Sequence, residues 1–142
     1  RSGELNIAAY ENVARQIVSR YGNVSRVAIT LRESITADHN NWGAMLLDVA
    51  RDAVCFSPRD AAGHYVPFQI DHIVDRVGGG DSFAAGLLHA LHSERINEPQ
   101  QIIDFAVAAS CLKHSIKGDF NYITEQEVMA LAGGNASGRG QR

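Results

Sequence analysis

The chain has few cysteines, no marked excess of either charge and no long apolar run. Only 2 cysteines occur in 142 residues. Cys55 and Cys111 lie far apart and make neither a CxxC pair nor a zinc-ligand spacing. That excludes a disulfide framework or a cysteine-zinc site as the organising device. Both sit in apolar segments, which predicts buried free thiols and fits a reducing, cytoplasmic setting. The net charge of −3 gives no general attraction to nucleic acid or to an anionic membrane. No apolar run approaches the length of a membrane span. The start, Arg1-Ser2-Gly3-Glu4, has no signal-peptide character. Internal repeats are absent.

What is present is globular. The length suits one domain with a real core, and 45% apolar with 20% charged residues is ordinary for one. Apolar residues recur at near-helical spacing from Leu5 to Tyr21, with Gly22 as the C-cap. Arg26 to Leu31 is short and β-branched, as a buried strand would be. Helix, tight turn and buried strand in that order predict half of a parallel α/β repeat. Arg32 to Asn41 is polar and reads as a loop. Trp42 to Asp48 and Ala53 to Ser57 read as strands around Arg51-Asp52, and His64 to Ile70 as a further strand after the turn Pro58 to Gly63. Helical spacing returns from Asp81 to about His92. Pro99 opens a helix to about His114, and Thr124-Glu125-Gln126-Glu127 is a capping box for a last short helix. Residues 1–132 are expected to form the folded part, and the Gly-, Ser- and Arg-rich 133–142 a disordered tail.

The most informative stretch is Asp75-Arg76-Val77-Gly78-Gly79-Gly80-Asp81-Ser82-Phe83-Ala84-Ala85-Gly86. Glycines before a helix let a bulky anion approach backbone N–H groups that carry partial positive charge. A carboxylate there repels a phosphate unless it has chemical work. The work available is to take a proton from a hydroxyl under phosphorylation. No Gly-Lys-Ser/Thr follows, so this is no Walker loop, and the GxGxxG spacing fails despite Gly86. Read alone, the glycines also suit a plain strand-to-helix turn, and Asp81 a plain N-cap.

Asp75 through Leu88 resembles the C-terminal signature of the ribokinase-like (PfkB) carbohydrate kinases, Asp-Thr/Pro-x-Gly-Ala-Gly-Asp-x-Phe-x-x-Gly. The form here is most similar to that of 2-keto-3-deoxygluconate kinases. Thr30-Leu31-Arg32-Glu33-Ser34 with Ala37-Asp38-His39-Asn40-Asn41-Trp42, and Lys113 to Asn121, point the same way. The resemblance extends from Leu5 to Leu131.

The resemblance implies an α/β fold, the C-terminal portion of a layered ribokinase-like domain with part of its central sheet. It implies ATP-dependent phosphorylation of a sugar acid, with ATP and Mg²⁺ and in some relatives K⁺. Asp81 takes the place of the catalytic base and contacts substrate. Gly78, Gly79 and Gly80 take that of the anion hole. Thr30, Arg32 and Ser34 stand at the strand-end loop near the nucleotide, although many relatives have glycine where Arg32 stands. Ser110, Lys113 and His114 fall on the segment lining the adenine pocket. Asp119 matches a substrate-contacting acid, and Asp75 and Val77 a monovalent-cation loop. The family's N-terminal half supplies most of the sugar site, which leaves three readings. One is a 2-keto-3-deoxygluconate kinase, or its nucleotide half, completed by a homo-oligomeric partner or an N-terminal half. Another is a non-catalytic remnant that binds nucleotide or self-associates. The third is a PfkB kinase of different sugar specificity. His89 and His92, at i and i+3, read as a solvated helix face. Trp42 reads as a packing anchor, and Asp38 and Asp48 as surface acids.

Overall fold

The computed structural model describes residues 6–37, 39–71, 73–75, 77–115, 117 and 123–133. Four helices and four strands are described: α1 (Ile7–Arg20), β1 (Arg26–Ser34), β2 (His39–Asp48), β3 (Ala53–Ser57), β4 (Phe68–Asp71), α2 (Gly79–His92), α3 (Pro99–Lys113) and α4 (Glu125–Ala132).

Asn6 caps α1 by accepting from Ala9 N, and the helix ends at Tyr21, one residue before the expected Gly22. β1 and β2 form one long antiparallel ladder from Arg26↔Asp48 to Ser34↔Asn40. The polar stretch 32–41 is therefore a hairpin end rather than a loop. Ile35 N and Thr36 N both donate to His39 O and close it. The expected parallel repeat is also corrected: every pairing among the described strands is antiparallel. Short turns join β1 to β2 and β2 to β3, and only antiparallel neighbours can be joined that way. The far edge of β2 is shared, with β3 beside Ala44 to Asp48 and β4 beside His39 to Trp42. Asp48, expected at the surface, is 1% exposed and holds the β2–β3 turn by accepting from Arg26 Nε, Arg51 N and Arg51 Nη1.

The pleat divides two cores. Val27, Met45 and Leu47 pack on one face under Ala14 of α1. Trp42, Ala44, Leu46 and Ile70 pack on the other, under α3. α3 is buried on nearly every side from Ile102 to Lys113, because the sheet lies below it and α2 and α4 flank it. Its N-terminus has Pro99 in the first turn and the Glu98–Gln101 capping box. Gly86 lets α2 approach α3 closely: a Cβ there would lie 2.9 Å from Ala109 Cβ. The expected Thr124–Glu127 box is formed, with Thr124 N donating to Glu127 Oε2 at 2.8 Å and Glu127 N to Thr124 Oγ1 at 3.3 Å. No described helix is long and apolar enough to cross a membrane.

Candidate active site

Gly78 has φ +79° and ψ 5°, a left-handed conformation that a side chain disfavours. It turns the chain into α2 two residues earlier than the sequence pattern suggested. Gly78 is thus the N-cap, and Asp81 is the third helical residue rather than the cap. As N-cap, Gly78 has no side chain of its own to bond the first-turn amides. Ser82 N is the first amide to close onto the turn, donating to Gly78 O at 2.8 Å. A Cβ on Gly80 would meet nothing within 4 Å, so the open side of the turn is accessible. Asp81 is exposed there. The start of α2 thus presents backbone N–H groups, the positive end of a helix and a carboxylate within one turn.

The turn is mounted on the end of α3. His114 O accepts from Val74 N at 3.0 Å and from Asp75 N at 3.4 Å. Asp75 Oδ1 accepts from Val77 N at 2.9 Å, so the two residues expected at a cation loop form one tight turn ahead of Gly78. The His114 ring lies against Gly79, where a Cβ would come within 3.3 Å of Cε1 and 3.4 Å of Nε2. Behind the ring stands Trp42, edge-on with centroids 5.1 Å apart. Trp42 Nε1 donates to Ser110 Oγ at 2.6 Å, and Ser110 Oγ donates to Val107 O at 2.9 Å. His114 Nδ1 pairs with Ser110 O at 2.7 Å, and since a carbonyl only accepts, Nδ1 carries the proton.

The structure brings some of the expected residues together and separates others. Gly78, Gly79, Gly80, Asp81, Asp75, Val77 and His114 converge on one turn. Ser110, Lys113 and His114 are 0%, 1% and 5% exposed and offer little surface to a ligand; His114, held by Ser110, forms the wall behind that turn. Thr30, Arg32 and Ser34 are exposed on β1, paired with Ala44, Trp42 and Asn40 of β2. They therefore share the α3-side face with Trp42, beyond the reach of the covering helix. Asp119 lies outside the described residues, as do Asp38 and the tail 134–142. His89 stacks on Phe105 at 5.2 Å, with Nε2 3.3 Å from Glu125 Oε2, and so bridges α2 to α3 and α4.

A cavity of about 870 Å³ escaped the sequence reading. It opens on the other flank of α3, between β4 and α4, and its walls include Pro58, Val66, Phe68, Asp104, Cys111 and Leu131. Neither Asp81 nor Gly78–Gly80 lines it. Burial pushes the Cys111 thiol up to about 12, which leaves it a neutral apolar wall. Its walls come from five separated segments, so no local pattern announces it. The one sequence hint is the turn-rich stretch Pro58 to Gly63 beside a short strand.

Comparison with known proteins gives the following. Residues 49–124 match the pfkB family of carbohydrate kinases. No curated protein sequence matches the chain. Among solved structures, the chain is similar to 2-dehydro-3-deoxygluconokinase from Thermotoga maritima, at 40% identity and a TM-score of 0.78, over 94% of this chain and 36% of that one. It is also similar to a PfkB family carbohydrate kinase from Listeria grayi, at 31% identity and a TM-score of 0.73, over 94% of this chain and 36% of that one. A third structure, from Enterococcus faecalis, shares the fold at 22% identity and a TM-score of 0.67. The chain therefore spans about a third of the length of the solved structures it matches.

Proposed function

Because the chain belongs to the pfkB family of carbohydrate kinases, we propose that it is the nucleotide-side portion of an ATP-dependent kinase acting on 2-keto-3-deoxygluconate. The observation that carries this reading is the glycine-capped, glycine-led first turn of α2 with an exposed Asp81 at its third position. Similarity to the Thermotoga kinase supports the sugar acid, since 2-dehydro-3-deoxygluconate is the same compound.

In this reading the Gly78–Gly80 amides hold the oxygens of the transferring γ-phosphoryl group and stabilise the charge that spreads over them. Asp81 accepts the proton of the attacking sugar hydroxyl as the new O–P bond forms and the bond to ADP breaks. The wall of Ser110 and His114 fixes the turn from behind, and Lys113 lies on the same buried helix end. Thr30, Arg32 and Ser34 flank the nucleotide from the open face of β1, and Asp119 contacts the sugar. The cavity beside α3 suits the base: Val66, Phe68 and Leu131 offer apolar surface, and Asp104 accepts a hydrogen bond. Among the described residues no three His, Cys, Asp or Glu side chains are placed to hold a metal. Mg²⁺ would be held by the phosphates of ATP, where it would offset their charge. Asp75 and Val77 are the pair assigned to K⁺.

A second reading stands beside it. In it the chain binds nucleotide or self-associates without turnover. ADP release from Mg-ATP with 2-keto-3-deoxygluconate, compared with other sugars, separates the readings. The kinase reading expects release with this sugar acid and a fall of about 10²–10⁴-fold in Asp81→Asn. Equal turnover in Asp81→Asn refutes the base assignment. ATP binding without ADP release under any sugar favours the second reading, and preference for another sugar moves the specificity within the family.

A further inference from the structure

We propose that His114 is a positioning residue of the phosphate turn: its imidazole, braced by Trp42 and Ser110, sets where the Gly79 backbone is presented. This rests on the reading of the Gly78–Gly80 turn as a phosphate site.

Three observations carry it. First, the ring is fixed on its far side. Nδ1 is tied to Ser110 O at 2.7 Å, and the indole of Trp42 meets the ring edge-on. The indole is itself tied through Nε1 to Ser110 Oγ at 2.6 Å, so it cannot swing away without breaking a buried hydrogen bond. Second, the near side touches the turn. A Cβ on Gly79 would sit 3.3 Å from His114 Cε1, inside the ordinary 3.5–4.0 Å separation of carbon atoms, whereas the same atom on Gly80 would meet nothing. A side chain at Gly79 would press on this ring, whereas one at Gly80 would face open space. Third, the backbone of the same residue holds the approach to the turn, with His114 O accepting from Val74 N and Asp75 N. One residue thus restrains the turn at two points. Phosphate recognition by backbone amides depends on their placement to within a few tenths of an ångström, so a fixed wall has a direct use.

The role differs from a contact with the nucleotide base and from general core packing. A residue that only packs lowers stability, but it leaves the pyrophosphate affinity of the folded turn, and what a methyl group at Gly79 costs that affinity, unchanged. The test is a double-mutant cycle on inorganic pyrophosphate affinity, measured by titration calorimetry on the whole chain: wild type, Gly79→Ala, His114→Ala and both together. Gly79→Ala alone is expected to weaken binding about tenfold, the scale of coupling between touching residues. In the His114→Ala background the added methyl is expected to cost less than about twofold, because the ring it collides with is gone. Should His114→Ala not fold, His114→Asn retains a donor for Ser110 O and removes the ring edge, and it is expected to show the same relief. The chain's single tryptophan gives a second signature: pyrophosphate should change Trp42 emission in the wild type but not in the His114 variant. Additive effects in the cycle overturn the proposal and leave the phosphate reading intact. Absence of pyrophosphate binding in the wild type overturns both.

Discussion

Gly86→Ala sets two effects of opposite sign against each other. Gly86 is buried in the middle of α2, and alanine is the better helix former there by about 1 kcal/mol. Propensity alone therefore predicts a more stable protein. The geometry predicts the reverse. The new Cβ would lie 2.9 Å from Ala109 Cβ and 3.3 Å from Ala106 Cα. Carbon atoms rest at roughly 3.5–4.0 Å, so the helices would have to part by roughly 0.6–1 Å. Neither obstacle can rotate out of the way, since one is a methyl fixed to a helix and the other is backbone. Overpacking of this kind costs about 1–3 kcal/mol. The propensity gain offsets part of that and leaves a net loss of up to about 2 kcal/mol, or a fall in Tm of up to roughly 8 °C. The function should suffer with it, because α2 carries Asp81 and α3 carries the His114 wall. Thermal and urea unfolding of Gly86→Ala, and of Gly86→Ala with Ala109→Gly, measure the effect. The double variant should recover most of the loss. A rise in Tm for the single variant would show that the close approach of α2 and α3 is not present, and the placement of Asp81 against α3 would fall with it.

Three further outcomes are expected. Gly43→Ala should cost about 2–3 kcal/mol in urea unfolding, because its Cβ would meet Tyr65 Oη at 2.3 Å and Ser57 O at 2.7 Å; removing Tyr65 as well should relieve only part of this. Asn40→Leu should raise stability by about 1–2 kcal/mol, since the Asn40 side chain is 0% exposed and both its polar atoms lack a partner among the described residues. Unfolding should also become easier in alkali. Burial raises the Cys111 thiol from its ordinary 9 to about 12, so the unfolded chain loses that proton first. The contribution is intact below pH 9 and is lost as pH rises to about 12; Cys111→Val should flatten that part of the stability profile.

Local chemistry made several elements readable in advance. Pro99 and the Thr124–Glu127 box mark α3 and α4 because caps and N1 prolines act within one turn. β3 is bounded as expected, since its short apolar run Ala53 to Phe56 stands between two turns. The hairpin end at residues 32–41 was missed for a physical reason. Arg32 and Ser34 lie on the α3-side face but past the end of the covering helix, so the apolar alternation that signals a strand stops there while the ladder runs on to Ser34↔Asn40. The antiparallel sheet was missed because a helix followed by a buried strand is common to many architectures, and only the partner strand sets direction. At the site, the Gly78–Asp81 turn was readable because glycine and aspartate are demanded by backbone conformation and charge. The wall behind it was not. Trp42 and Ser110 are separated by 68 residues in sequence, and their hydrogen bond exists only once β2 and α3 have packed. Asp48 looked like a surface acid for the same reason: Arg26, one of its partners, stands 22 residues away on β1.

In the proposed kinase reading, the first turn of α2 receives the phosphates of a nucleotide whose base lies beside α3. Backbone amide shifts on the isotope-labelled chain test it directly. Mg-ATP is expected to move Gly78, Gly79, Gly80 and Asp81 together with Phe68, Asp104 and Cys111 of the cavity, and adenosine to move the cavity group alone. Mg-ATP that leaves the Gly78–Asp81 amides unmoved at saturation would contradict the account.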